Sequence, residues 1–167
     1  MQYLFHPLCT LLKRELLYIP LWGWAMSLLR PIAINRSKPK QAILQTLDEG
    51  SERLQEGLFV LLFPEGTSSD GNRVLPFKSA FFAVADHAND GKPLSVQPVS
   101  IAYVGVNGLP IGRNGRPTFA WYADMDLAPH LWGVLSGGSL TVSVQFHPVV
   151  TIDAFASRKE LARYCEE

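Results

Sequence analysis

An excess of charge of either sign is missing from this chain of 167 residues: 15 Lys and Arg balance 15 Asp and Glu. Without a net field to draw it onto a polyanion, no nucleic-acid partner is expected. Cysteine is scarce too. Cys9 and Cys165 sit at opposite ends of the sequence, which suits neither a disulfide framework nor a zinc knuckle, so two reduced thiols are expected. No basic region and no small-residue cleavage site follow Met1, so Gln2–Thr10 does not read as a signal peptide. Repeats, low-complexity runs, a G-x-S-x-G nucleophile elbow and a metal-ligand cluster are all absent from the sequence. What is present is apolar: 47% of residues are hydrophobic and 11% aromatic, too many for a disordered chain. The length fits one domain with a core of its own.

The apolar stretch Leu16–Leu29 is broken by Pro20 and Gly23 and flanked by Lys13, Arg14 and Arg30. It falls short of the roughly 20 residues a bilayer-spanning helix needs. Two readings stay open: a pair of core helices joined at Pro20, or an interfacial anchor whose Tyr18, Trp22 and Trp24 rings sit at headgroup level.

Further along, strand and helix patterns alternate, which predicts an α/β fold. Pro31–Asn35 reads as a short strand ending in Arg36. Pro39–Leu47 reads as a helix, continued by a second piece, Asp48–Glu56, around Gly50. Leu58–Phe63 is six consecutive apolar residues, the pattern of a strand buried on both faces of a parallel sheet. Phe77–His87 has helical spacing, and Val96–Val104 reads as a strand that Pro98 places at an edge or bulge. Asn107–Pro117 is rich in Gly and Pro and reads as loop, followed by a strand at Thr118–Tyr122 and a helix at Leu127–Leu135. Leu140–Phe146 alternates apolar and polar residues, as in a half-exposed strand. Ser157 followed by Glu160 is a capping box opening a last helix.

One segment stands apart chemically. Phe63-Pro64-Glu65-Gly66-Thr67-Ser68-Ser69 takes the chain from an apolar strand into a turn where Gly66 lets a ligand approach the backbone. Glu65 is an acceptor, Thr67, Ser68 and Ser69 are donors, and the carboxyl end of a sheet strand is where open α/β sheets bind ligands. A plain turn with solvated polar residues fits the spacing as well.

The wording of that turn, FPEGT, resembles the signature of the glycerophospholipid acyltransferases, the 1-acylglycerol-3-phosphate acyltransferase family. Other blocks agree in order: Lys13-Arg14-Glu15-Leu16 with Ile19-Pro20 and Gly23-Trp24; Pro31 to Arg36; Pro76-Phe77-Lys78 with Ala80-Phe81; and Val96-Gln97-Pro98-Val99. Together they span roughly residues 8 to 150.

The resemblance implies a mostly parallel central sheet flanked by helices, with residues 1–167 as one acyltransferase domain. Within it, residues 1–30 would be apolar helices, in the core or at a membrane surface, 31–150 the α/β core and 151–167 the C-terminal helix. It implies acyl transfer, in phospholipid biosynthesis, from acyl-CoA or acyl carrier protein to the free hydroxyl of a lysophospholipid such as 1-acylglycerol-3-phosphate. No metal and no bound organic cofactor are implied; the location is the cytoplasmic face of a membrane. Arg36 suits a phosphate because a guanidinium forks onto two of its oxygens, although an arginine after an edge strand is often only solvated. Lys13 and Lys78 are weaker candidates for the same charge. Glu65 would repel phosphate, which leaves it a glycerol hydroxyl or the fixing of the turn, with Gly66 and Thr67 offering backbone and hydroxyl contacts. The family usually has arginine where this chain has Ser68, which puts the acceptor's headgroup in question.

The family's catalytic block, a histidine followed five residues later by aspartate, has no counterpart. His6 is followed at that spacing by Leu11, and His87, His130 and His147 lack the aspartate too. Each reads more naturally as a capped or surface histidine, so no catalytic residue is assigned. The chain therefore reads as such a domain without its first part. Alternatives are a lipid- or partner-binding remnant without catalysis, or an unrelated α/β module in which FPEGT is chance.

Overall fold

The computed structural model describes residues 8–13, 17–18, 22–28, 31–34, 39–86 and 93–167. Strand β1 (Leu8–Lys13) lies at the centre of a parallel sheet, between β2 (Ile32–Ile34) and β3 (Phe59–Leu61). Leu11 pairs with Ile32 on one side, and Cys9 with Val60 on the other. The N-terminal region was expected to supply helices alone; here it supplies the middle strand, and a short helix, α1 (Trp22–Ser27), follows. Gly23 of α1 is buried where a side chain would run into the Leu17 carbonyl, while Tyr18, Trp24 and Leu28 are exposed.

Helix α2 (Pro39–Gln55) is continuous, not two pieces. Its Gly50 is a contact point: a Cβ there would come 3.3 Å from Val84 Cγ2 and 4.0 Å from Ile32 Cδ1. The missing side chain lets α2 lie close to a 3-10 helix at Ser79–Asp86, the segment read as α-helical from its spacing. Phe81 to Ala85 of that segment are all buried, and so are Cys9, Ile32 and Leu58. The run Leu58–Phe63 is thinner than expected. Only Phe59–Leu61 is strand, and it is an edge of the sheet, so Phe59 and Phe63 stay exposed instead of being covered on both faces.

The remaining strands pair antiparallel. Pro98 divides the strand expected at Val96–Val104: β4 (Ser95–Val96) pairs with β8 (Val150–Thr151), and β5 (Val99–Val106) pairs with β7 (Leu140–Phe146). A proline has no N–H to give a ladder, and its carbonyl instead accepts from His147 N–H at 3.0 Å. Asn107 and Gly108, at φ 50° and 79°, make the left-handed turn into β6 (Leu109–Pro110), so part of the expected loop is a hairpin. No strand forms at Thr118–Tyr122. Arg116–Thr118 is a 3-10 turn, with Phe119 and Ala120 N–H groups both bonded to the Arg116 carbonyl. Parallel pairing is thus confined to β1–β3 among the described residues. The fold is mixed α/β, and the single, mostly parallel central sheet is corrected to one parallel and two antiparallel sheets.

Helix α3 (Leu127–Ser136) has no buried residue, and α4 (Arg158–Glu166) is pinned by its cap. Ser157 Oγ accepts from Glu160 N–H at 3.4 Å, and Glu160 Oε2 accepts from Ala156 N–H at 2.9 Å, one residue earlier than a strict capping box. Leu161 and Ala162 of α4 form a core with Phe82 and Ala85, with Phe77, Val96, Val150, Phe155 and Cys165 packed round it. Burial pushes the Cys165 thiol pKa up to about 11 and raises that of Cys9 as well. Both cysteines are free thiols.

Candidate functional site

Because β1, β2 and β3 are parallel, their carboxyl ends reach the same edge of the sheet. Lys13 ends β1 and pairs with Ile34, which precedes Arg36 by two residues in sequence; Phe63 follows the end of β3 by the same interval. The topology thus gathers Lys13 and the Phe63–Ser69 turn at one edge. Arg36 lies outside the described residues.

The turn is tightly held. Gly66 N–H donates to Phe63 O at 3.0 Å, and Lys78 N–H donates to Pro64 O at 2.9 Å. At φ 69° Gly66 occupies the left-handed region, and the Lys78 side chain crosses it: a Cβ there would fall 2.6 Å from Lys78 Nζ. Glycine is therefore required for its dihedral, while the flexible end of the lysine lies in the space a Cβ would take. Lys78 is itself steadied by its neighbour, because Phe77 N–H donates to Glu166 Oε2 of α4 at 3.0 Å.

Glu65 turns back into the protein. Its Oε2 accepts from Leu75 N–H at 2.8 Å, closing the following loop on itself. Of the two roles open to Glu65, fixing the turn is the one this geometry displays. Inside the loop, Asp70 takes hydrogen bonds from Asn72 N and Nδ2, both at 3.1 Å, which hold its carboxyl below the ordinary carboxylate pKa. Ser69 Oγ donates to Arg73 O at 3.2 Å. Thr67 and Ser68 are exposed, and among the described residues neither side chain makes a hydrogen bond. The result is a rigid backbone cradle with two free hydroxyls and one ammonium group. It can hold a polar headgroup and orient a hydroxyl.

Two features lay beyond the sequence patterns. Gly71, at φ 78°, docks the loop against Tyr103, Ala120 and Arg116. Ser100 Oγ and His147 Nε2 lie 2.7 Å apart across β5 and the end of β7. Among the described residues no carboxylate bonds to that imidazole, so the pair does not complete a Ser-His-acid triad. His130 starts no such arrangement either, and no group of metal-ligating side chains occurs among the described residues. The remaining histidines, His6 and His87, lie outside them.

The FPEGT turn thus stands at the carboxyl edge of a parallel sheet, in a mixed α/β fold. A family model described as acyltransferase matches residues 1–102, and the chain belongs to that family. It is 42% identical over 147 residues to a lyso-ornithine lipid O-acyltransferase of Rhizobium meliloti (strain 1021), covering 86% of this chain and 50% of that protein. It is 48% identical over 90 residues to a 1-acyl-sn-glycerol-3-phosphate acyltransferase of Pseudomonas aeruginosa, covering 54% of this chain and 34% of that protein. Among solved structures, the 1-acyl-sn-glycerophosphate (LPA) acyltransferase PlsC of Thermotoga maritima superimposes with a TM-score of 0.56 at 27% identity. That match covers 95% of this chain and 52% of the other. The chain spans about half the length of these relatives.

Proposed function

We propose that the chain is the headgroup-binding part of an O-acyltransferase that esterifies the free hydroxyl of a lysolipid. The reaction takes the acyl group of an acyl-CoA or acyl carrier protein thioester. A base removes the hydroxyl proton and the oxygen attacks the thioester carbonyl. The C–S bond then breaks, and the thiolate leaves to be protonated. Backbone N–H groups would stabilise the oxyanion, and the reaction calls for neither a metal nor a bound organic cofactor. Residues 1–167 would act as one domain, with Gly66 and Thr67 shaping the cradle, Glu65 closing its loop, and Lys78, Lys13 and Arg36 supplying positive charge. Exposed Tyr18, Trp24 and Leu28 support placement at the surface of a membrane, which on this reading is its cytoplasmic face. Among the described residues no helix is long and apolar enough to cross one.

The observation that carries this reading is the Glu65-closed FPEGT turn at the carboxyl edge of β1–β3. Ser68 bears on the acceptor. It leaves a hydroxyl where the family usually has a cation, and relatives named lyso-ornithine lipid O-acyltransferase, 36–42% identical, align with 86–92% of this chain. Both favour an ornithine-headed lysolipid over 1-acylglycerol-3-phosphate, which stays as the second reading on the match to the Pseudomonas protein. No histidine followed five residues on by aspartate occurs in the 167 residues, so this chain alone is expected to bind acceptor without transferring acyl groups.

Transfer of labelled acyl groups from acyl-CoA and from acyl carrier protein is the test. It is run with lyso-ornithine lipid and lysophosphatidate as acceptors, using the chain alone and a full polypeptide in which the chain follows a family catalytic block. Turnover of lyso-ornithine lipid by the full polypeptide only is the expected result. Preference for lysophosphatidate would select the second reading. Binding without turnover in both forms would leave a non-catalytic lipid-binding role.

A further inference from the structure

The loop closed by Glu65 meets the rest of the protein at Gly71, and the residue beneath it is Arg116. A Cβ at Gly71 would stand 3.8 Å from Arg116 Cβ, 3.8 Å from Ala120 Cβ and 3.7 Å from the Tyr103 ring. Arg116 is fixed at this point, since its carbonyl accepts from Phe119 N–H at 3.0 Å and Ala120 N–H at 3.2 Å. One nitrogen of its guanidinium is not satisfied. Nε is buried without a hydrogen-bond partner, and so is Asn72 Oδ1, in the residue next to Gly71. Among the described residues Arg116 makes no ion pair. The nearby Asp70 carboxylate is already engaged by Asn72. An arginine whose Nε is withdrawn from water and left unpaired calls for an anion, because burying an unmatched polar group costs more than a hydrogen bond returns.

We propose that Arg116 is a specificity-determining residue that binds the anionic oxygens of the lysolipid headgroup beside the Phe63–Ser69 turn. The inference rests on the reading of the chain as a lysolipid acyltransferase and adds a residue to its headgroup site. A planar guanidinium forks onto two oxygens, whether of a carboxylate or of a phosphate. Lys78 Nζ lies over Gly66 and the Cβ of Arg116 stands against Gly71, so a cationic residue is rooted at each end of the segment that carries Ser68. The shared chemistry is an oxyanion. An ornithine headgroup presents it as a carboxylate, and a glycerol phosphate as a phosphate.

The experiment measures equilibrium binding of lyso-ornithine lipid, lysophosphatidate and neutral monoacylglycerol, each in neutral detergent micelles. The proteins compared are the wild-type chain, R116Q, R116K and N72A, with melting temperatures recorded in parallel. R116Q is expected to weaken one or both anionic lipids by about tenfold or more, the scale of one charge-assisted bond, and to spare monoacylglycerol. R116K should fall between R116Q and wild type, and N72A should bind as wild type does. The lipid that loses affinity identifies the source of the oxyanion. Wild-type affinity in R116Q for both anionic lipids overturns the proposal. So does an equal loss in N72A that follows its melting temperature, because Arg116 would then only brace the loop. If R116Q does not fold, R116K decides: a several-fold loss confined to anionic lipids supports the proposal, and unchanged affinity overturns it. Failure of the wild type to bind any lysolipid removes the parent reading, and this inference with it, whereas wild-type binding that R116Q leaves unchanged removes this inference alone.

Discussion

Around the parallel strands, α2 and the 3-10 helix at Ser79–Asp86 leave Ile32 with 0% of its surface exposed, whereas along the antiparallel pair Ile101 and Phe146 keep 56% and 68% of theirs. Both regions carry regular apolar patterns. On β5 and β7, Val99 pairs with Phe146, Ile101 with Val144 and Tyr103 with Val142, so the apolar residues share one face as their alternation requires. Apart from half-buried Tyr103, where the Gly71 loop docks, that face is open among the described residues, and the face opposite is largely open too. Alternation determines which residues stand together; burial needs a second element laid across them, and among the described residues the parallel sheet has α2 while the β5–β7 pair has only the Gly71 loop at Tyr103.

The sharpest way to break this contrast is to shorten matched aliphatic side chains on its two sides. Ile32→Ala should cost about 2 to 5 kcal/mol in chemical denaturation, as should Leu161→Ala in the core of α4, because each leaves a cavity in packed surroundings. Ile101→Ala should stay within about 0.5 kcal/mol of wild type. Equal losses at Ile32 and Ile101 would mean that the β5–β7 face is covered in solution.

Next in size is Gly71→Ala. It forces a left-handed dihedral on alanine at the junction between the two regions, and should cost about 1 to 2 kcal/mol. If the loop is what joins the headgroup site to the second region, this variant should also weaken lysolipid binding; unchanged binding would detach the two. Ser157→Ala removes the cap of α4 and should cost about 1 kcal/mol by thermal denaturation, with little effect on the loop.

The smallest effect concerns thiols. The Cys165 pKa stands at about 11, raised by burial from an ordinary 9.0. Its neutral form favours folding below pH 9, and that contribution is lost as pH rises through 11. Maleimide labelling of the native chain at pH 8 should therefore be much slower than labelling of the unfolded chain, and should accelerate towards pH 11. Labelling as fast as in the unfolded chain would show that α4 does not stay docked.

Much of the local order was legible beforehand because its causes are local. Pro39 opens α2 and Ser157 with Glu160 opens α4; the apolar run at Phe59–Leu61 makes a strand, and Leu140–Phe146 alternates as written. The turn at Phe63–Ser69 stood out because a strand, a glycine and four polar side chains follow one another directly. The misses share a different cause. Leu8–Lys13 is short and apolar in a region dominated by helix-like composition, and it becomes strand through pairing with residues more than twenty positions away. Pro98 was seen, but its effect depended on β8 being present to capture β4. Gly50 looked like a helix break and is instead the place where Val84 approaches.

By itself the sequence determined periods, caps, turns and the family, since each depends on residues close together or on a motif kept in order. Tertiary structure alone decided that Glu65 closes its loop onto Leu75, that Lys78 crosses Gly66, and that Arg116 comes to lie under Gly71. Those contacts bridge 10, 12 and 45 positions of chain, and nothing in local propensity constrains which distant backbone will arrive there.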